Sequence, residues 1–306
     1  MNGFFEHTPD SLRAWCVDHG MPAFAAKQVF DWVYAKQVID PALMTNLSEN
    51  HRALLAEALT IDQGRLLADQ HATDGTRKLL VGWKNPSAGL PILDSGPSTE
   101  TVLIPANNRL TACVSSQVGC PVGCAFCASG LEGLESNLTA GQIVEQVHRL
   151  GRLGLGRVSN VVFMGMGEPL ANYGAVTKAI TTLNASWGLG IGARKITVST
   201  IGLPEAIRRL ATFPIPVTLA ISLHAPEDSL RRTLIPWAAH ASITQILDAC
   251  REYFDATGRE ITFEYLLLRG VNDRPHHARM LADLASTVRC NINLIRYNEV
   301  PGLPFD

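Results

Sequence analysis

The chain has 306 residues, 46% of them hydrophobic and 18% charged, the composition of a packed globular protein with one large domain or one large and one small. Its net charge of −2 argues against a broad basic surface for nucleic acid. There is no long apolar run and no basic leader followed by an apolar core, so the sequence predicts no transmembrane span, no signal peptide and a cytoplasmic protein.

Residues 1 to about 60 read as helical. TPDSLRAWCVDHG offers Asp10 or Ser11 as an N-cap and Gly20 as a stop, AFAAKQVFDWVYAKQV carries apolar residues at helical spacing, and SENHRALLAEAL starts from a Ser48 cap. Asp74-Gly75 between two apolar runs predicts a hairpin turn with positive φ at both positions. The Pro-, Gly- and Ser-rich segment KNPSAGLPILDSGPS predicts a loop, and TETVLIP (99–105) and RLTACVSS (109–116) predict strands. The domain boundary is expected near residue 100, with an accessory domain over 1–99 and a larger domain over 100–306.

From there strand-like runs alternate with helical ones. After RLTACVSS the strands are NVVFMG, KITVST, VTLAISL, ITFEYLLL and NINLIRY, with TAGQIVEQVHRLGRL, NYGAVTKAITTLN, LPEAIRRLA, SITQILDACREYFDA and PHHARMLADLAS between them. Such alternation means a parallel sheet with crossover helices. Six strands and no Gly-rich dinucleotide fingerprint favour a partial (β/α)6 barrel, an α/β fold, with a small, mainly helical N-terminal domain. In a barrel the chemistry gathers at the C-terminal ends of the strands. The basic pairs Arg194–Lys195, Arg208–Arg209 and Arg231–Arg232 read most simply as solvated helix faces.

Four of the seven cysteines fall within residues 113–129, CVSSQVGCPVGCAFCAS. An odd number of thiols in a reducing compartment stay free or ligate metal. Cys120, Cys124 and Cys127 form C-x3-C-x2-C just after the first barrel strand. Three thiolates from one loop can ligate three irons of a [4Fe–4S] cube and leave the fourth iron open. The competing reading is zinc, which usually takes four ligands, and no second Cys/His pair has matching spacing.

With Phe126 the loop completes C-x3-C-x-F-C, which resembles the signature of the radical S-adenosylmethionine (SAM) superfamily. ETVLIP, the cysteine segment, FMGMGEPLANY, ITVSTIG, AISLHAP, TFEYLLLRGVND and NLIRYN together resemble the RlmN/Cfr methyltransferases, and AFAAKQVFDWVY resembles their accessory domain. The resemblance runs nearly end to end. It implies methylation of an adenosine ring carbon, carbon-2 rather than the carbon-8 of the resistance branch, in 23S ribosomal RNA and also in some tRNA. It implies a [4Fe–4S] cluster on Cys120, Cys124 and Cys127, two SAM molecules per turnover and a reducing partner such as flavodoxin. It further implies SAM contacts at Gly167, Glu168, Ser199, Ser222, Leu223, His224 and Asn298. Glu100 matches the family's proton acceptor, although from the residues alone it is equally an exposed strand carboxylate. His224 alone would read as a core histidine. Cys113 matches a thiol that forms a transient disulfide during turnover, releasing product by thiol–disulfide exchange.

One part of the pattern is missing. The family's methyl-carrying cysteine follows the sixth strand, where this sequence reads VPGLPFD; Cys250 and Cys290 read as packing residues, Cys16 lies in the accessory domain, and none fits that role. The expectation is therefore of a chain incomplete at its C-terminus that binds cluster and SAM but does not complete methyl transfer alone. A non-catalytic cluster- and RNA-binding relic is the alternative.

Overall fold

A computed structural model describes residues 3–83 and 96–306, so most of the loop expected over 84–98 lies outside the described residues. Helix α1 (Pro9–Asp18) begins earlier than expected. Thr8 is its cap: its Oγ1 accepts from the Ser11 amide at 3.3 Å, and Ser11 Oγ accepts from the Thr8 amide at 2.8 Å. Pro9 at the first helical position needs no donor there, which is why the helix extends back past Asp10. Helix α2 (Ala25–Phe30) runs into a π-helical turn, Asp31–Ala35, and α3 (Glu49–Ala58) starts at Ser48 as expected.

Strands β1 (Arg65–His71) and β2 (Arg77–Gly82) form the expected hairpin with a different turn. Only Gly75 has positive φ, at 86°. The Ala72 amide donates to Thr76 O, and Asp74 Oδ1 accepts from the Thr76 amide at 2.9 Å. The loop thus spends three residues, and Asp74 works through its side chain rather than a left-handed backbone. Strands β3 (Ser98–Ala106) and β4 (Arg109–Cys113) follow, then a short pair missing from the sequence reading, β5 (Gln117–Gly119) with β6 (Leu134–Asn137).

The remaining elements alternate as expected: α4 (Ala140–Gly151), β7 (Asn160–Phe163), α5 (Tyr173–Asn184), β8 (Ile196–Thr200), α6 (Pro204–Ala211), β9 (Thr218–Ser222), α7 (Asp228–Leu234), α8 (Ile243–Thr257), β10 (Ile261–Leu267), α9 (Pro275–Ser286) and β11 (Cys290–Arg296). Of these only α7 escaped the sequence. It is seven residues long, less than two turns, too short for a periodicity to register. No helix among the described residues is long and apolar enough to cross a membrane.

The chain forms two compact units. The first comprises residues 1–115, 138–161 and 174–192. Its strands β1 to β4 pair antiparallel in chain order. Its core is aromatic: Phe30 stacks on Tyr34 at 5.7 Å, and Phe4, Phe5, His148 and Trp187 pack around them. Glu145 on α4 is fully buried but satisfied, accepting from the Gln63 and Gly64 amides, each at 2.9 Å, and from Arg149 Nε at 2.8 Å. Glu100 lies here on β3, exposed and ion-paired with Lys78 at 2.7 Å. Cys113 ends β4 opposite Val102, half-buried, with its carbonyl accepting from Thr101 Oγ1 at 2.9 Å.

The second unit comprises residues 116–137, 162–173 and 193–306. Strands β8, β9, β10 and β11 pair parallel in that order. The inner residues of β8, β9 and β10, among them Val198, Leu219, Ile221, Ile261 and Phe263, are fully buried, whereas β11 is largely exposed.

Candidate active site

The cysteine loop leaves β5 through a backbone that only glycine tolerates. Gly119 has φ of +72°, and a Cβ there would run into the Gly133 carbonyl; that same carbonyl accepts from the Cys120 amide at 2.9 Å. The loop then packs on apolar residues of its own unit, with Cys120, Cys124 and Phe126 lying against a cluster that includes Val122, Leu234, Ile235 and Leu268. The Ala125 amide donates to Leu234 O at 2.9 Å and so fastens the middle of the loop to α7.

The loop after β7 is built against β5. The Ser116 amide donates to Met166 O at 2.9 Å, and Gln117 Oε1 accepts from the Glu168 amide at 2.8 Å. Gln117 Nε2 also donates to Asn137 Oδ1 at 2.7 Å, and Asn172 Nδ2 donates to Ser116 O at 2.9 Å. Between them Gly167 sits at φ +102°, where a Cβ would meet Gln117 Cβ at 2.7 Å and Ser116 Oγ at 2.8 Å.

These pieces enclose a cavity of about 290 Å³. Its lining includes Cys120, Cys124, Cys127, Gly167, Glu168, Ser199, Ser222 and His224, eight of the positions expected in the site. Leu223 and Asn298 do not line it. Leu223 is fully buried and gives its amide to Glu264 O, and Asn298 is exposed. A serine followed by an apolar residue at a strand end puts alternate side chains on opposite faces, so Ser222 and Leu223 cannot both face one space. Two larger cavities, of about 590 and 620 Å³, belong to the first unit and hold no cysteine. Donor chemistry, not volume, marks the site.

The lining also includes Glu264 on β10, which the sequence reading passed over. It stands in register with Ser222 of β9 and Asn293 of β11, and its Oε2 accepts from Asn293 Nδ2 at 2.7 Å. Ser199 Oγ lies 3.4 Å from Ser222 Oγ, so a polar row crosses four strands. A strand-interior Glu with Phe263 and Tyr265 beside it was the available signal.

His224 is both a satisfied histidine and a cavity residue. The Leu266 amide donates to its Nδ1 at 3.0 Å, so the proton of the neutral ring sits on Nε2. Burial first, then the charge of Arg231, pushes its pKa down to about 3. Its backbone is left-handed, φ 56°, and its carbonyl accepts from Asn272 Nδ2 at 2.8 Å. Phe126 meets the ring edge-to-face at 4.9 Å.

Glu168 is 3% exposed. Its Oε1 accepts from the Leu170 amide at 2.9 Å and Oε2 from the Ile201 amide at 2.8 Å, yet burial outweighs these bonds and lifts its pKa to about 7. Cys124 is pushed up to about 12, by burial first and then by Cys127 and Cys120; Cys120 is raised chiefly by burial. As free thiols these groups hold their protons at neutral pH, and ligation would release them. The described lining of the cavity holds no Arg or Lys, so once these acidic groups give up their protons a positively charged occupant would compensate them. Iron on the three thiolates and an ammonium group beside Glu168 fit that requirement. Among the described residues no three His, Cys, Asp or Glu side chains converge to hold one ion. Thiolates that bind separate corners of a cluster have no need to converge on a point.

Comparison with known proteins agrees. The radical SAM superfamily matches residues 114–281, and the ribosomal RNA large subunit methyltransferase N-terminal domain matches residues 4–61. The chain is 44% identical over 298 residues to a probable dual-specificity RNA methyltransferase RlmN from Gloeobacter violaceus, covering 97% of this chain and 82% of that one. The proteins of the same description from Thermosynechococcus vestitus and Clostridium perfringens are 45% and 44% identical, with 94% and 98% of this chain covered and 82% and 84% of theirs. The crystal structure of a radical SAM methyltransferase from Sphaerobacter thermophilus superposes with a TM-score of 0.92 at 41% identity, covering 100% of this chain and 88% of that one. The chain belongs to the RlmN-type radical SAM RNA methyltransferases.

Proposed function

We propose that this enzyme methylates carbon-2 of an adenosine in 23S ribosomal RNA, and in tRNA as a second substrate. The observation that carries the reading is one cavity lined by three thiols from a single loop, with Glu168 and His224 beside them. Cys120, Cys124 and Cys127 would hold a [4Fe–4S] cluster. Gly167, Glu168, Ser199, Ser222 and His224 would hold SAM, with Leu223 and Asn298 acting through the main chain or from the rim. When bound, the cluster supplies the single electron, and SAM the radical and the methyl group, that a ring carbon too electron-poor for ordinary displacement requires. Two SAM molecules per turnover and a low-potential donor such as flavodoxin belong to the same reading.

The chain's own residues divide the remaining work. Gly167 lets the backbone approach the ligand, and Glu168 accepts from its ammonium group. His224 presents an N–H from Nε2 and stays neutral. Apolar Val122, Phe126, Leu266 and Ile295 line the same space and keep water from it. The reading runs through a methyl-carrying cysteine: Cys113 would release product by forming a disulfide with that cysteine as the bond from its sulfur to the ring-bound carbon breaks, and Glu100 would take the ring proton once freed from Lys78. None of the seven cysteines is assigned the methyl-carrying role. The division into an accessory domain over 1–99 and a barrel over 100–306 is part of the proposal. Mass spectrometry of adenosine from RNA treated with the holoenzyme and a reductant tests it. 2-Methyladenosine supports the reading and overturns the expectation that the chain does not complete methyl transfer alone. 8-Methyladenosine moves the chain to the resistance branch, 5′-deoxyadenosine without a methylated RNA matches a chain that does not complete methyl transfer alone, and neither product leaves the relic.

A further inference from the structure

Arg231 does not behave as half of a solvated basic pair. Arg232 beside it is exposed, but Arg231 is 1% exposed and among the largest fully buried side chains. Its guanidinium meets main-chain carbonyls rather than a carboxylate. Nε donates to Leu223 O at 3.1 Å; Nη2 donates to Ser222 O at 3.3 Å and to Ile201 O. Asp228, one turn earlier on α7, accepts from the Ile243 amide through Oδ1 at 2.8 Å. No ion pair to Arg231 forms among the described residues. Asp228 is near enough for its charge to favour the guanidinium, but burial outweighs it, and a fold retains such a buried charge where the charge is used.

Its surroundings indicate the use. The carbonyls it grips lie at the ends of β8 and β9, beside cavity residues Ser222, His224 and Ile201. One turn beyond it, Leu234 accepts the Ala125 amide from the middle of the cysteine loop at 2.9 Å. Leu234 and Ile235 belong to the apolar cluster on which Cys120 and Cys124 pack. Arg231 and Cys124 each feel the other's charge, and the attraction opposes the burial of both. Helix α7 thus holds the thiol loop at one end and the strand ends at the other, with a fixed positive charge between.

We propose that Arg231 is a positioning residue whose permanent charge raises the reduction potential of the cluster held by Cys120, Cys124 and Cys127. The proposal rests on the reading that these thiols bind a cluster. Reduction adds one electron, and a nearby buried cation stabilises the reduced form more than the oxidised one. Net charge around a cluster is among the factors that set its potential, and a dry site transmits the effect with little screening.

The test uses full-length protein, reconstituted anaerobically with iron and sulfide and titrated reductively under electron paramagnetic resonance without SAM. R231M removes the charge and keeps the volume; R231K keeps the charge and loses the fork. R231M is expected to lower the one-electron equilibrium constant at a fixed donor at least tenfold, a fall of about 59 mV in midpoint. R231K is expected to stay within threefold of the parent. R231M titrating with the parent, or R231K falling as far as R231M, overturns the proposal. Where R231M does not retain iron, R231Q, which can still donate to two carbonyls, carries the same test. Loss of iron from all three variants alike also overturns it, because Arg231 would then act only as a fork. Failure of the parent to take up a cluster would refute the underlying reading instead, and iron counting separates the two.

Discussion

Replacing Glu168 by Gln removes one buried charge and tests what that charge is for. The carboxyl has a folded pKa of about 7 against an ordinary 4.5, with burial the cause. The native state therefore binds more protons than the unfolded chain between those values. Stability is fully present below pH 4.5 and falls as pH rises toward 7, by about 3 kcal/mol in all at 1.36 kcal/mol per unit. Without a ligand, E168Q loses this slope, and urea unfolding of the cluster-free protein at a series of pH values reads the difference. Gln offers one acceptor where Leu170 and Ile201 present two amides, so E168Q also carries a constant penalty of about 1–3 kcal/mol. Binding runs the other way. If the carboxylate takes an ammonium group, the charge-assisted bond is worth about 1.5–3 kcal/mol, or roughly ten- to hundredfold in Kd. Calorimetric titration of SAM into the anaerobic holoenzyme should show that loss for E168Q above pH 7, narrowing below pH 7 as the parent carboxyl protonates. A ratio of affinities that does not vary with pH, or equal affinities throughout, would refute the reasoning.

Three other perturbations have expected outcomes. G167A forces a Cβ against Gln117 and Ser116 at a left-handed backbone position, so SAM binding should weaken at least tenfold while thermal unfolding shifts by only about 2–4 kcal/mol; unchanged affinity would mean the loop is not the binding loop. N272A removes a buried side chain that accepts from the Leu268 amide at 2.8 Å and donates to His224 O at 2.8 Å and Leu266 O at 2.7 Å; denaturant unfolding should show a loss of about 2–4 kcal/mol, and a loss below 1 kcal/mol would discount the network. His148 in the first unit is held neutral, its pKa pushed down to about 4 by burial, with Nε2 bonded to Val33 O at 2.8 Å. Here the unfolded chain binds the extra proton, so stability is lost as pH falls from 6.5 to about 4, by about 3 kcal/mol, and H148Q should lack that acid slope.

Much of this was legible in the sequence. The six strand-like runs all became strands, the middle ones because their apolar, β-branched character is nearly continuous and the last, NINLIRY, through alternation of polar and apolar residues. The three spaced cysteines and the Gly-Glu after β7 do line one cavity, and in the sequence both stand close to strand ends. Other features are set by partners far along the chain. Arg231 looked like one of a solvated pair, and only the carbonyls of Ile201, Ser222 and Leu223 reveal why it is buried. Gln117 lies between Cys113 and Cys120 without a spacing of its own, yet its side chain bonds Glu168 and Asn137. Thr8 lost the capping role to Asp10 and Ser11 on paper because Pro9 between them reads as a breaker before it reads as a first helical residue. Leu223 matched a family contact by position, while the pleat of β9 turns its side chain into the core.

The central claim is that three thiols of one loop hold iron and sulfide and leave a place for SAM. Anaerobic reconstitution of the full chain, iron and sulfide analysis, and electron paramagnetic resonance of the reduced protein with and without SAM address it directly. About four irons and four sulfides per chain, with a spectrum that changes when SAM is added, are predicted. A chain that takes up zinc in place of iron, or whose reduced spectrum does not respond to SAM, would contradict the account.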